Sequence, residues 1–106
     1  MQKETSFKIK ILPKLKALPN SWVLKTQEVA RAGTPDILMC LYGKFVAIEL
    51  KTDDGIISPL QKYNLEKIKT CSGLALVITP SNTEEMLAVL ENLAKGCSNE
   101  LYGKRN

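Results

Sequence analysis

Four successive positions, Phe45-Val-Ala-Ile48, are apolar. A strand with one wet face alternates apolar and polar residues, because successive side chains point to opposite faces. A run without alternation reads as a central strand covered on both sides. It follows a tight turn read at Gly43-Lys44, with Ile-Leu-Met-Cys-Leu-Tyr over 37–42 before it. Two such runs joined by a short turn predict a hairpin. A further apolar run, Leu74 to Thr79, belongs in the same sheet. Between them residues 59–71 read as a helix, with Ser58 as N-cap, Pro59 at the first helical position, and Leu60, Tyr63, Leu65 and Ile68 inward. A helix between two strands of one sheet is a crossover, so the run from Leu74 should lie parallel to the strand at Phe45.

The flanks complete the frame. Phe7, Ile11, Leu15 and Leu18 are spaced four, four and three, one face of a helix over 3–18. Pro13 predicts a kink there, or a break with a second short helix. Pro19-Asn20-Ser21 is a turn, residues 22–28 a strand and residues 31–35 a loop. Residues 83–95 predict a last helix with Met86, Leu87, Leu90, Leu93 and Ala94 inward, stopped by Gly96. The order is αβββαβα, an α/β fold with a central mixed sheet of about four strands flanked by helices. With 106 residues the chain has the size of one small domain, placed over 1–96. Residues 97–106 are polar and aperiodic, so a weakly ordered tail is expected.

There is no histidine. That excludes a Ser-His-Asp triad, a Cys-His pair and imidazole-ligated zinc. Acid–base chemistry must rest on carboxylates, lysine, tyrosine, cysteine or a metal ion. Three cysteines without CxxC spacing indicate neither a disulfide framework nor a zinc site. The start, Met-Gln-Lys-Glu, has no apolar run behind its charge, so no signal peptide is expected and the reading places the chain in the cytoplasm. The net charge is +4, and it is uneven: Lys3, Lys8, Lys10, Lys14, Lys16 and Lys25 stand against Glu4 alone in the first 27 residues, with Lys62, Lys67 and Lys69 as a second group. Clustered cations fit a polyanion such as nucleic acid, although lysines also simply solvate helix faces.

Glu49-Leu50-Lys51 closes the third strand. Residues two apart on a strand share a face, so Glu49 and Lys51 stand side by side after a buried run. A carboxylate there costs free energy unless it is paired or binds something; an ion pair at the edge of the core is the plain alternative. With the turn at Gly43-Lys44, Asp36 falls opposite Lys51, one diagonal step from Glu49. Asp36, Glu49 and Lys51 then converge at one sheet end, if all three choose one face. Two carboxylates and a backbone carbonyl form a hard-oxygen site for Mg2+ or Mn2+. Such a site, with a lysine holding the attacking water, can cleave a phosphodiester without histidine. Removing either carboxylate should leave the fold intact or more stable, because the two repel. Glu4 lies on the apolar face of the first helix, as an end-of-helix acid or as part of the site. Gln61, in the first turn of the crossover helix, faces either solvent or the site. Asp53-Asp54 before Gly55 reads as turn chemistry.

Gly33-Thr34-Pro35-Asp36, then Glu49-Leu50-Lys51, then Gln61, together resemble the PD-(D/E)XK nuclease superfamily. The set looks most like its small stand-alone VRR-NUC branch (virus-type replication–repair nucleases) of phages and bacteria, over roughly residues 3–95. The resemblance implies a restriction-endonuclease-like core. It implies Asp36, Glu49 and the Leu50 carbonyl as metal ligands, Lys51 as the residue that positions or activates water, and Gln61 as the residue that orients water or phosphate. Glu4 matches the first-helix glutamate more loosely, and Thr34 stands where the branch commonly has an aliphatic residue. The expected function is Mg2+-dependent DNA endonuclease activity, structure-selective for branched or four-way junction DNA in replication, repair or recombination, by a homodimer. The alternative is a catalytically inactive nucleic-acid-binding module, or a subunit of a larger nuclease complex. Phosphate contact is expected from Lys3, Lys8, Lys10, Lys14, Lys16 and Lys62. Trp22, Tyr42 and Phe45 are candidates for the dimer surface, with burial in the core the stronger expectation for strand aromatics. A phospho-receiver domain is rejected: the loop at Arg31 lacks the acidic pair it would need.

Overall fold

The protein is described from a computed structural model over residues 3–26 and 31–96, with side chains from residue 6 onward. Its elements are α1 (Lys3–Lys16), β1 (Ser21–Lys25), β2 (Ile37–Leu41), β3 (Lys44–Leu50), α2 (Pro59–Thr70), β4 (Leu74–Ile78) and α3 (Thr83–Ala94), with a 3-10 turn at Pro80–Asn82 before α3. The expected order holds. The expected tail over 97–106, the end of β1 at 27–28, and the side chains of Lys3 and Glu4 lie outside the described residues.

The sheet order is β1-β2-β3-β4. β1 and β2, and β2 and β3, pair antiparallel, while β3 and β4 pair parallel across the α2 crossover. The hairpin register differs from the expected one. The turn residues are Tyr42 (φ 51°) and Gly43 (φ 83°), one position earlier than read. Two successive positive φ values make a type I′ turn, whose twist matches the strands it joins. Leu41 therefore faces Lys44 and Ile37 faces Ile48, which brings position 36 opposite 49 rather than 51.

One face of the sheet is covered over β2, β3 and β4, with Val23 of β1 partly buried at its edge. Ile37, Met39, Leu41, Val46, Ile48, Leu50, Leu74, Leu76 and Ile78 join Ile11 and Leu15 of α1 and Leu90 and Leu93 of α3 in the core. α1 does not break at Pro13. An interior proline costs ~3 kcal/mol, whereas fully burying Ile11 and Leu15 contributes about 1.5–3 kcal/mol each, so packing on both sides holds the helix. The second face is covered in part. Ala47 and Ala75 face α2, with Leu65 buried beside them. Over β1 and β2 that face carries Trp22, Leu24 and Cys40 in the open. Trp22 is 63% and Phe45 48% exposed, and Tyr42 is exposed as well, so the expectation of core burial fails for all three. The reason is that α2 packs mainly on β4 on this side, so the described residues leave that face open over β1, β2 and the start of β3, while Tyr42 sits in the turn at the end of the hairpin. No described helix is long and apolar enough to cross a membrane.

Candidate active site

Asp36 stands at the head of β2, held from both flanks. Thr26 N–H donates to the Asp36 carbonyl (2.9 Å), and its hydroxyl donates to the carbonyls of Pro35 (2.8 Å) and Asp36 (3.0 Å). On the other side Asn64 of α2 donates to the Gly33 carbonyl (2.8 Å). Gly33 has φ +82°, and a Cβ there would lie 2.5 Å from Leu60 Cγ and 2.9 Å from Asn64 Nδ2. Only glycine adopts that backbone cheaply. Gly33→Ala is therefore expected to destabilise the protein by about 1–2 kcal/mol, read as a lower urea midpoint at unchanged slope.

The Asp36 carboxylate is fixed by the backbone of β3: Leu50 N–H donates to its Oδ2 at 2.8 Å. In an antiparallel pair a residue's N–H and C=O face the same neighbouring strand, so the Leu50 carbonyl faces the side on which Asp36 lies. The next N–H, of Lys51, turns the other way, to the Ile78 carbonyl (3.1 Å). Lys8 of α1 approaches the second oxygen of Asp36, with Nζ 3.4 Å from Oδ1.

Glu49 ends a strand that is otherwise apolar and is 2% exposed. Gln61 Nε2 donates to its Oε2 at 2.7 Å. Lys51 Nζ lies 4.0 Å from the same oxygen. Oε1 is buried and has no hydrogen-bond partner among the described residues. Burial pushes the Glu49 carboxyl from its ordinary 4.5 up to about 7. The Asp36 charge adds to that, Lys51 and Lys8 oppose it, and a proton on Glu49 shared with Asp36 raises it again.

Gln61 does two things. Its Oε1 accepts from Ser58 N–H (2.8 Å), Ser58 Oγ accepts from Gln61 N–H (3.1 Å), and the pair forms a capping box at the start of α2. Its amide end then points at Glu49. Cap and site contact are one side chain, so the entry of α2 is registered on the end of β3.

The structure thus brings Asp36, Glu49, Leu50, Lys51 and Gln61 to one sheet end. Lys8 joins them, where the sequence had placed it only among phosphate-contacting lysines; no spacing rule pairs a residue of α1 with one 28 positions on. Lys10, Lys14 and Lys16 are exposed on α1, and Lys62 is exposed on α2, against the opposite face of the sheet. The side chains of Lys3 and Glu4 lie outside the described residues. Asp53 and Asp54 do stay in turn chemistry. The Ser81 hydroxyl and then its backbone N–H (3.0 Å) hold the Asp53 carboxyl below the usual range, and Asp54 accepts from the Thr52 hydroxyl (2.9 Å).

Two neighbouring carboxylates, one with a buried oxygen that no donor among the described residues reaches, and a carbonyl on the same side make a donor set that a hard cation satisfies. Among the described residues no group of three or more His, Cys, Asp or Glu is gathered. A magnesium site needs only one or two carboxylates, the other positions going to water and substrate phosphate.

No family model matches the chain, and no curated protein matches it in sequence. Among solved structures, a VRR_NUC domain protein superposes with a TM-score of 0.70 over 90% of each chain, at 16% identity. At that identity the likeness is one of architecture: the chain has the fold of that VRR_NUC domain protein, a restriction-endonuclease-like α/β core.

Proposed function

We propose that this chain is a divalent-metal-dependent DNA endonuclease that selects branched DNA, in replication, repair or recombination, and acts as a homodimer. The carrying observation is the pair Asp36 and Glu49, opposed across a hairpin at the edge of the core, with a buried carboxylate oxygen that no described protein donor reaches. A purely structural ion pair has no use for that oxygen, and burying it unpaired costs about 1–3 kcal/mol. The fold likeness to a VRR_NUC domain protein supports the same reading.

Asp36, Glu49 and the Leu50 carbonyl would hold Mg2+ or Mn2+. Bound there, the cation supplies Lewis-acid polarisation of the phosphoryl group and a water of lowered pKa. The protein's own groups do the rest. Leu50 N–H and Gln61 each hold one carboxylate oxygen, so both carboxylates are preorganised. The Lys51 ammonium, beside Glu49, is placed to position the attacking water or to take a phosphate oxygen. Lys8, beside Asp36, brings a second cation to the approaching phosphate.

The testing experiment is incubation of purified protein with Mg2+ or Mn2+ on linear, flapped and four-way DNA. Cutting should fail in EDTA, and Ca2+ should support binding with little cleavage. A protein that binds DNA but cuts none of these substrates with either metal would leave the inactive binding module. Light scattering at micromolar concentration tests the homodimer; two sites related by a twofold axis would match the symmetry of a junction. Phosphate binding by α1 is checked by Lys10, Lys14 and Lys16 changed together to glutamine. The slope of log Kd against log salt should fall by about one for each phosphate no longer neutralised. An unchanged slope would remove α1 from the interface.

A further inference from the structure

The half-covered face of the sheet leaves a groove that the chemistry above does not use. Leu38 of β2, Phe45 of β3, and Leu60 and Tyr63 of α2 wall it, and Arg31 and Lys67 stand in it. Its volume is about 500 Å3, inside the ~300–1,000 Å3 of sites that hold small ligands. No carboxylate is among its described lining residues. Tyr63 is 61% exposed, and Phe45 is half open to solvent. The groove's lining adjoins the candidate site in sequence. Pro35 lines it and adjoins Asp36; Leu60 lines it and adjoins Gln61. Phe45 lies four residues before Glu49 on the same strand face, ~13 Å away along the strand.

Two aromatic faces, two cations and no anion suit a nucleic acid better than a protein. An apolar protein partner would bury Arg31 and Lys67 without counter-charges, which is costly. A nucleic-acid strand brings its own phosphates, and every base offers a face for stacking. We propose that this groove takes unpaired nucleotides of the strand to be cut, with bases stacked on Phe45 and Tyr63 and phosphates against Arg31 and Lys67. The substrate is then DNA with a single-stranded segment beside the scissile bond, a flap rather than a fully paired junction. The link to cutting rests on the nuclease reading; the binding itself does not.

The experiment is therefore run first without metal. Fluorescence anisotropy in EDTA measures Kd for labelled oligothymidylate and for a blunt duplex, with wild type, Phe45→Ala, Tyr63→Ala and Tyr63→Trp. Thermal melts confirm that each variant folds; Tyr63→Ala, at the surface of α2, decides if Phe45→Ala does not. Each alanine variant should weaken oligothymidylate binding by about five- to a hundredfold, the range one stacked base contributes. Duplex binding should change less than about twofold, and Tyr63→Trp should keep the wild-type affinity. Unchanged oligothymidylate affinity, or equal loss on both DNAs, would overturn the proposal. So would a solution dimer that the same substitutions dissociate, since a second copy would then occupy the groove. Cleavage in Mg2+ is read separately: a protein that passes the binding test yet never cuts would refute the nuclease reading alone.

Discussion

Replacing Glu49 by glutamine is expected to abolish Mg2+-dependent cleavage and, in the same protein, to raise the melting temperature. The loss follows from the ligand role. Metal-assisted charge stabilisation is worth several kcal/mol, so rates should fall about a thousandfold or more at ~1.4 kcal/mol per tenfold. The gain follows from burial. Glutamine keeps the acceptor that Gln61 uses and places an amide N–H where a carboxylate oxygen now has no described partner. The folded-state pKa of Glu49, about 7, lies above its ordinary 4.5. Between those values the folded protein holds a proton that the unfolded chain releases, so wild-type stability falls as pH rises from about 4.5 to 7 and is lowest above 7. The shift corresponds to about 3 kcal/mol. Metal-free melts of wild type and Glu49→Gln should therefore agree near pH 4.5 and separate by about 10–20 °C at pH 8. Curves that stay parallel, or a variant that melts lower at pH 8, would show that Glu49 is a structural partner of Lys51 and not a poised ligand. The same proton competes with metal, so the Mg2+ needed for half-maximal cleavage should fall as pH rises through about 7.

Asp36→Ala is expected to lose cleavage to a similar extent but to lose stability as well. Here the structure corrects the expectation that either carboxylate could be removed without cost. Asp36 Oδ2 is the partner of the Leu50 backbone N–H, and Leu50 is fully buried. An orphaned buried N–H costs about 1–3 kcal/mol. Removing Asp36 also relieves its repulsion of Glu49, which matters only where Glu49 is charged. The destabilisation should therefore be largest near pH 5, where Glu49 is protonated in the folded protein, and smaller at pH 8. Asp36→Asn, which keeps an acceptor for Leu50, should recover most of the stability and none of the activity. Urea melts at the two pH values check this. A stability of Asp36→Ala equal to wild type at pH 5 would mean that the Leu50 N–H finds another partner.

Much of the site was legible because its geometry follows from short-range rules. Glu49 and Lys51 share a face by strand alternation, and Asp36 meets them because a hairpin folds it back. Ser58 and Pro59 announced the start of α2, and with it the position of Gln61. The register was missed because the turn is built on Tyr42-Gly43. Tyrosine at positive φ is unfavourable, so no residue type there signals a type I′ turn as Asn-Gly would. Of the two outcomes read at Pro13, a kink or a break, the break is absent because local propensity was outweighed by the burial of Ile11 and Leu15 around it. Trp22 and Phe45 misled because alternation tells which face a residue is on, not whether that face is covered. Only the placement of α2, mainly on β4, decides that. Lys8 beside Asp36 depends on how α1 crosses the sheet, which no spacing in one chain encodes.

Strand cleavage of flapped and four-way DNA by wild type and by Glu49→Gln, each in Mg2+ and in EDTA, tests the central claim most directly. Cutting by the wild type in Mg2+ alone, with none by the variant in either buffer, is the predicted result. Equal cutting in EDTA, or full activity of Glu49→Gln purified in the same way, would contradict it.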